Sequence, residues 1–93
     1  MIRRDTLGQR IALLEACIET QTMIGAIGRS RLAHAVIMYF LEDLIPAGYI
    51  YQEKREGKHS SRFLTTTEKG KEAIYQYRRF WRKLCPSEED PDS

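Results

Sequence analysis

Two clusters of side chains in this 93-residue sequence have chemistry that suits a polyanionic partner, and together they contain ten residues. The first cluster contains Arg29, Ser30, Arg31, His34 and Met38. The second lies within nine residues and contains Lys54, Arg55, Lys58, His59 and Arg62. Lysine and arginine neutralise phosphate groups, while arginine, serine and histidine also bond to base edges. The elements that carry the two clusters decide whether they share one surface.

The first cluster begins the longest helical pattern of the chain, for which Ser30 is the predicted N-cap. Pro46 disfavours helical geometry at the residue before it, and Gly48 permits a left-handed turn. The helix is therefore predicted to end between Leu44 and Ala47. Helical spacing predicts a wide buried stripe formed by Leu32, Ala33, Val36, Ile37, Phe40, Leu41, Leu44 and Ile45.

The opposite face of this helix differs between its two ends. The first cluster lies at the N-terminal end, whereas the acidic Glu42 and Asp43 lie at the C-terminal end. This polarity favours entry into a major groove with the N-terminus leading, because the acidic residues then stay away from phosphate. We expect the first cluster to contact base edges.

The second cluster lies at the tip of a predicted β-hairpin. Residues 49–55 and 60–65 are rich in aromatic, β-branched and alternating polar residues, and residues 56–58 form a turn between them. Such a hairpin suits contact with the phosphate backbone. The alternative is an ordinary solvated hairpin, since exposed strands often carry lysine that prevents edge pairing.

Two shorter helical patterns precede the long one. Residues 6–19 carry an apolar face of Leu7, Ile11, Leu14, Cys17 and Ile18, with Asp5 or Thr6 as the N-cap. Residues 22–27 form a brief second helix, capped by Thr20 or Thr22, and Gly28 is predicted to supply the tight turn after it.

A last helix is predicted to run to about residue 84. Thr65 and Glu68 have the spacing of a capping box, and Thr67 is an alternative cap. An apolar seam follows, comprising Gly70, Ala73, Ile74, Tyr77, Phe80, Trp81 and Leu84. The seam either packs within the chain throughout or pairs two subunits through Tyr77, Phe80, Trp81 and Leu84. We expect the homodimer, with Lys71, Arg78, Arg79, Arg82 and Lys83 on the opposite, solvated face.

The formal charge of +2 conceals an asymmetry. Four of thirteen acidic residues lie in the last six positions, so residues 1–85 carry fifteen Lys or Arg against nine Asp or Glu, a net of +6. We interpret residues 1–85 as one domain and residues 86–93 as a disordered acidic tail. A basic domain suits double-stranded DNA without establishing it.

Several classes of function find little support in the sequence. No apolar run is long enough to cross a bilayer, so we expect no membrane partner and a cytoplasmic, nucleoid-associated or host-cell location. Cys17 is predicted to be buried, and Cys85 is either a terminal thiol or a bridge between subunits. No residues have the spacing of a metal site, a catalytic nucleophile or a phosphate-binding loop. We expect no enzyme activity, no cofactor and no small-molecule ligand.

The order of elements and several residues resemble winged helix-turn-helix proteins of the PadR, MarR and archaeal winged-helix groups, including small archaeal and viral regulators. The matching residues, within a resemblance over residues 7–84, are Leu41, Leu44, Gly48, Tyr49, Ile50, Leu64, Thr65, Glu68, Lys69 and Gly70. The resemblance implies an α+β fold with a three-helix core, a wing and a C-terminal dimerisation helix.

The expected function is that of a homodimeric, sequence-specific protein that binds double-stranded DNA and regulates transcription. Two alternatives stay open. A winged helix can serve as a protein-interaction module without DNA contact, for which Ala35, Met38 and Tyr39 would form an apolar patch. A chromatin-type protein would coat DNA with little sequence preference.

Overall fold

Four helices and a three-stranded antiparallel sheet make up residues 6–55 and 61–84, the part of the chain that the computed structural model describes. In chain order the elements are α1 (Thr6–Ala16), β1 (Gln21–Thr22), α2 (Met23–Ser30), α3 (His34–Leu44), β2 (Ile50–Arg55), β3 (Ser61–Thr66) and α4 (Glu68–Leu84). The predicted α+β class is confirmed. The predictions for Asp5, Lys58, His59, Cys85 and residues 86–93 lie outside the described residues.

The sheet has the strand order β1-β3-β2. Strands β2 and β3 form the predicted hairpin with bounds shifted by one residue, and Ile50 lies opposite Thr66 at its base. Strand β1 was not predicted, because two residues are too few to show an alternating pattern. It pairs with β3 through Gln21 and Leu64, and so ties the segment before α2 to the hairpin.

The core draws buried residues from every helix and from the hairpin. Leu13 of α1, Ile37 of α3, and Ile50 and Leu64 of the hairpin are fully enclosed. Cys17 is buried with them as predicted, and this burial raises the pKa of its thiol to about 11. A neutral thiol of this kind behaves as a small apolar side chain.

Helix α1 ends three residues earlier than predicted. It stops at Ala16, so Ile18 lies beyond the helix and is exposed rather than part of the apolar face. Leu7, at the other end of the same predicted face, is also more than half exposed. The prediction for α1 was therefore right in its centre and wrong at both edges.

The turn between α2 and α3 differs most from the prediction. Thr22 caps α2 by accepting a hydrogen bond from the Gly25 N–H, as predicted, but the helix then runs through Gly28 to Ser30. The Ser30 hydroxyl donates back to the Ala26 carbonyl, at 2.6 Å, instead of capping α3. The predictions that Gly28 forms the turn and that Ser30 caps the third helix are wrong. A serine at a helix end can satisfy its hydroxyl in either direction, and here it bonds backwards.

The turn itself is formed by Arg31, whose φ of 59° lies in the left-handed region that favours glycine. Its N–H bonds to the Ile27 carbonyl and closes α2. Helix α3 begins at His34 without a side-chain cap at Ala33. It ends at Leu44, within the predicted limits, and Gly48 adopts the predicted left-handed conformation.

Helix α4 is capped by Thr67, the alternative prediction. The Thr67 hydroxyl accepts a hydrogen bond from the Gly70 N–H at 3.2 Å. Thr65 lies in β3, where its hydroxyl bonds to that of Thr20 at 2.7 Å, so the predicted Thr65–Glu68 capping box is wrong. The strand continues two residues further than the box would allow.

Ion pairs fasten the helices to one another. Arg78 of α4 donates two hydrogen bonds to a carboxylate oxygen of Glu15 in α1, at 2.8 and 3.0 Å. Arg10 of α1 reaches Asp43 of α3 at 2.9 Å, and its guanidinium lies 4.6 Å from the centre of the Phe40 ring. Within the described segments, no helix is both long enough and apolar enough to span a membrane.

We predict that Gly70→Ala lowers the free energy of unfolding by about 2 kcal/mol, because a Cβ at this position would overlap the Tyr49 carbonyl oxygen and the Thr66 methyl group. Gly28→Ala is the matched control, since it also lies in a helix but has no atom near the added methyl. It should raise stability by up to about 1 kcal/mol through helix propensity. Urea unfolding of both variants measures the contrast, and equal effects would contradict the close approach at Gly70.

Candidate nucleic-acid interface

The face of the hairpin that continues the core carries its described cations. Residues directly opposite one another in an antiparallel pair share a face, and alternate residues of one strand do too. Ile50, Leu64 and Thr66 are buried on this face at the base of the hairpin. Lys54 and Arg62 follow on the same face towards the tip, where both are exposed. The apolar part of the face thus packs on the helices, and the basic part projects beyond them.

A direct contact joins this basic face to α3. The Arg62 guanidinium donates to the Met38 sulfur, with an Nη1–Sδ distance of 3.6 Å. Met38 is half-buried on the part of α3 that the sequence predicted to be its outer face. The structure therefore brings together one residue from each of the two predicted clusters.

Lys54 and Arg62 form a like-charge pair. They are register partners across β2 and β3. Like charges directly opposite one another destabilise a strand pair, by an amount of the order of a few tenths of a kcal/mol. Among the residues that the structure describes, Lys54 has no acidic partner that would relieve the repulsion. An anion placed between the two side chains would remove it.

Arg31 and His34 flank the start of α3 and are both exposed. The turn that carries Arg31 is held in place from below, because the buried Ser30 hydroxyl accepts a hydrogen bond from the Leu32 N–H at 3.3 Å. The left-handed conformation costs an arginine about 1 kcal/mol more than a glycine. Within the described part of the chain, the Arg31 side chain forms no ion pair or hydrogen bond that would offset this cost.

Two members of the first predicted cluster are placed differently. Ser30 is only 2% exposed, and its hydroxyl is already bonded within α2, so its predicted contact with a base is wrong. Arg29 lies on the last turn of α2, exposed, with Glu19 at 3.8 Å. In the second cluster, Arg55 ends β2, while Lys58 and His59 lie outside the described residues.

Other cations of the chain serve the fold. Arg10 and Arg78 pair with acidic residues of neighbouring helices, and Lys71 pairs with Glu68 on α4. Lys69 donates to the Ala47 carbonyl, a structural role that the sequence analysis missed. In the sequence, this role was indicated only by the position of Lys69 in the first turn of α4, a few residues after the wing.

The described residues hold no group of three or more His, Cys, Asp or Glu side chains arranged to bind a metal ion. The surface of the described residues also has two open grooves. One of about 640 Å³ runs between α1 and α4, and another of about 350 Å³ lies between α1 and the exposed Tyr39 of α3.

A three-helix core with an antiparallel hairpin and a further helix defines the winged-helix fold. No model of a known protein family matches the chain, and no curated protein matches it. Solved structures do. The chain is similar to Sso10a-2, a DNA-binding protein from Sulfolobus solfataricus, with 18% identity and a TM-score of 0.76 over 87% of this chain and 82% of that one.

Two further solved structures share the fold. The transcriptional regulator BldR from Sulfolobus solfataricus is 14% identical, with a TM-score of 0.63 over 90% of this chain and 64% of that one. ZitR from Lactococcus lactis, a zinc-responsive member of the MarR family, is 14% identical, with a TM-score of 0.62 over 97% and 66%. The chain thus spans less than two thirds of BldR. At these identities the likeness establishes the fold, and it confirms the predicted winged helix-turn-helix class.

We predict that Lys54→Gln stabilises the free protein by a few tenths of a kcal/mol at low salt, because it removes the repulsion with Arg62. The gain should vanish in 1 M salt, where the charges are screened. Lys71→Gln is the control, since it removes an equal charge that is paired with Glu68 and should not stabilise. Urea unfolding at two salt concentrations measures both. A loss of stability in Lys54→Gln at low salt would contradict the like-charge pair.

Proposed function

We propose that the protein is a homodimeric, sequence-specific DNA-binding protein that regulates transcription. The observation that carries the proposal is the like-charge pair of Lys54 and Arg62, projecting from the wing beside the exposed side of α3. Lys54 and Arg62 are held opposite one another with no acidic partner among the described residues, and such a pair suits a polyanion. The described functions of Sso10a-2 and BldR, as a DNA-binding protein and a transcriptional regulator, support the same conclusion.

The wing and α3 would divide the work of binding. Lys54 and Arg62 neutralise phosphates, which supplies affinity without sequence preference. Arg31, His34 and Met38 lie at or near the N-terminal end of α3, from where they would meet base edges in the major groove. Arg29 and the wing residues Arg55, Lys58 and His59 remain predicted contacts.

The salt dependence of duplex binding tests the proposal. We expect tight binding whose logarithm falls linearly with the logarithm of salt concentration. The double variant Lys54→Gln/Arg62→Gln should bind at least tenfold more weakly at 0.1 M salt, with a slope reduced by about 4, because each dimer loses four phosphate contacts. Fluorescence anisotropy with a labelled duplex measures both quantities.

Lys71→Gln/Arg82→Gln is the matched control, because it removes two exposed charges from α4 away from the face proposed for pairing, and none from the wing. It should leave both affinity and slope nearly unchanged. No salt-dependent binding by the wild-type protein, or equal losses in the two double variants, would refute the proposed interface. Selection from a random duplex library separates sequence-specific binding, which enriches a motif, from DNA coating, which does not.

A protein-interaction module is the second candidate, and the exposed side of α3 supports it. Tyr39 is 62% exposed there and lines the groove against α1 together with Ala35 and Val36. An apolar surface of this kind suits a protein partner. The double variant in Lys54 and Arg62 separates the two functions, because it should weaken DNA binding at least tenfold and leave protein binding intact.

The homodimer rests on the C-terminal half of α4. Phe80 and Leu84 are 63% and 66% exposed there, although both are large and apolar. Tyr77 and Trp81 are half-buried, with their ring centres 6.3 Å apart. These four residues were predicted to form the interface. Large apolar side chains that are solvent-exposed along one face of a helix are suited to burial against a second subunit.

The charges beside this apolar stripe favour an antiparallel pair of α4 helices. Glu72, Gln76, Arg79 and Lys83 follow one another at spacings of four, three and four residues, so they lie along one face. This polar face is acidic at its start, at Glu72, and basic at its end, at Arg79 and Lys83. Two copies related by a twofold axis near Gln76 would place Glu72 against Arg79 or Lys83, whereas a parallel pair would place like charges together.

The groove between α1 and α4 offers room for the partner helix. It is lined by Leu7, Ile11, Ala73, Gln76, Tyr77, Arg79, Phe80 and Lys83. In the antiparallel arrangement, Phe80 of one copy lies opposite the small Ala73 of the other. A large side chain would then fill the hollow above a small one, as packed cores require.

We predict that Phe80→Ala raises the dimer dissociation constant at least tenfold, whereas Tyr75→Ala, which truncates another exposed aromatic of α4, does not. Glu72→Arg and Arg79→Glu should each weaken the dimer, and combining them should restore it. Sedimentation equilibrium measures these constants. A double variant that stays as weak as the single ones would exclude antiparallel pairing, and a monomeric wild-type protein would exclude the dimer.

A further inference from the structure

The link between α3 and the wing, residues 45–49, is held by the start of α4. Three successive carbonyl groups of the link accept hydrogen bonds from two residues there. The Lys69 ammonium donates to Ala47 at 2.7 Å, the Thr67 hydroxyl to Gly48 at 2.5 Å, and the Thr67 N–H to Tyr49 at 3.0 Å. The link therefore has little freedom to bend while α4 stays in place.

Two further contacts tighten the same junction. The Lys69 ammonium lies 4.7 Å from the centre of the Tyr49 ring, on which it acts as a cation over an aromatic face. Gly70 brings the backbone of α4 against the Tyr49 carbonyl, an approach that a Cβ would prevent. One side chain, Lys69, thus contacts the link at both Ala47 and Tyr49.

Core packing of Ile50 and Leu64 and the pairing of β3 with β1 hold the base of the wing, and this junction adds the contacts that set its angle to α3. The link is the covalent connection between them, and Arg62 with Met38 is a single side-chain contact further out. Helix and wing have to meet the same duplex at once, so an unfixed angle between them would cost ordering free energy on binding. A junction set before binding removes that cost.

We propose that Thr67 and Lys69 are positioning residues for DNA binding, which fix the angle between α3 and the wing without touching the nucleic acid. The inference rests on the proposed function. It assigns a role to Lys69 that differs from that of Lys54 or Arg62, because the Lys69 ammonium is occupied by the Ala47 carbonyl. A positioning residue changes affinity at every salt concentration alike, whereas a phosphate contact changes the slope.

Lys69→Met tests the inference, because methionine keeps an unbranched apolar side chain beside Tyr49 and removes the bond to Ala47. We expect duplex affinity to fall about fivefold at each salt concentration, with an unchanged slope and an unchanged folded fraction. Lys71→Met is the matched control, as it removes the same charge two residues away and should bind like wild type. Lys69→Arg, which retains a donor for Ala47, should recover most of the affinity.

A measurement without DNA makes the test independent of the proposed function. Residual dipolar couplings of backbone amides report the orientation of β2 and β3 relative to α3. They should change in Lys69→Met and stay at wild-type values in Lys71→Met. Thr67→Val, which loses both the hydroxyl bond to Gly48 and the N-cap of α4, should show the same reorientation. Thr67→Ser, which keeps both bonds, should keep the wild-type couplings.

Three results would overturn the inference. The first is wild-type affinity and orientation in Lys69→Met. The second is a salt slope reduced by about 2 in that variant, one for each subunit of the dimer, which would make Lys69 a phosphate contact. The third is an affinity loss that matches the unfolded fraction, which would make its role structural only. A wild-type protein that binds no duplex would refute the proposed function instead, and the dipolar couplings would still decide whether the junction sets the wing.

Discussion

The close approach of α4 to the link between α3 and the wing joins the last helix to both elements of the proposed interface. Gly70 lets the helix backbone meet the Tyr49 carbonyl, and Thr67 and Lys69 then reach the carbonyls of the link. The same helix packs on α1, where Arg78 pairs with Glu15. One element therefore fixes where α3 ends and where the wing begins. It also carries the exposed apolar residues proposed for dimerisation, so the proposed subunit contact and the proposed binding face would be joined through one helix.

Two locally unfavourable features belong to the residues of the proposed interface. Arg31 adopts a left-handed conformation that suits glycine, and Lys54 lies opposite Arg62. Elsewhere, Arg10 and Arg78 have acidic partners and contribute to packing between helices. Unfavourable local features persist where the surrounding fold holds them, and they are common at functional sites. Their occurrence in the two predicted clusters is a physical reason to place the ligand there, independent of any resemblance.

Much of the fold was predictable from sequence, for reasons that differ between elements. The hairpin and α3 follow from periodicity over six or more residues, and the end of α3 follows from Gly48. The α2–α3 turn was not predictable in this way. The Ser30 hydroxyl can cap the following helix or bond back to the preceding one, and the packing of α2 decides which bond forms. The cap of α4 was ambiguous among successive threonines for the same reason. The Arg62–Met38 contact joins residues 24 apart and depends on tertiary packing, which local patterns do not encode.

In the proposed function, the outer side of α3 and the basic face of the wing form one surface for DNA. Methionine-methyl NMR during titration with a short duplex tests this shared surface, because Met38 lies on α3 and contacts Arg62 of the wing. Met23, at the start of α2 and packed against the core, serves as an internal reference. We expect the Met38 methyl signal to shift in proportion to bound DNA while that of Met23 stays in place. A Met38 signal that does not move when the duplex is fully bound would contradict it.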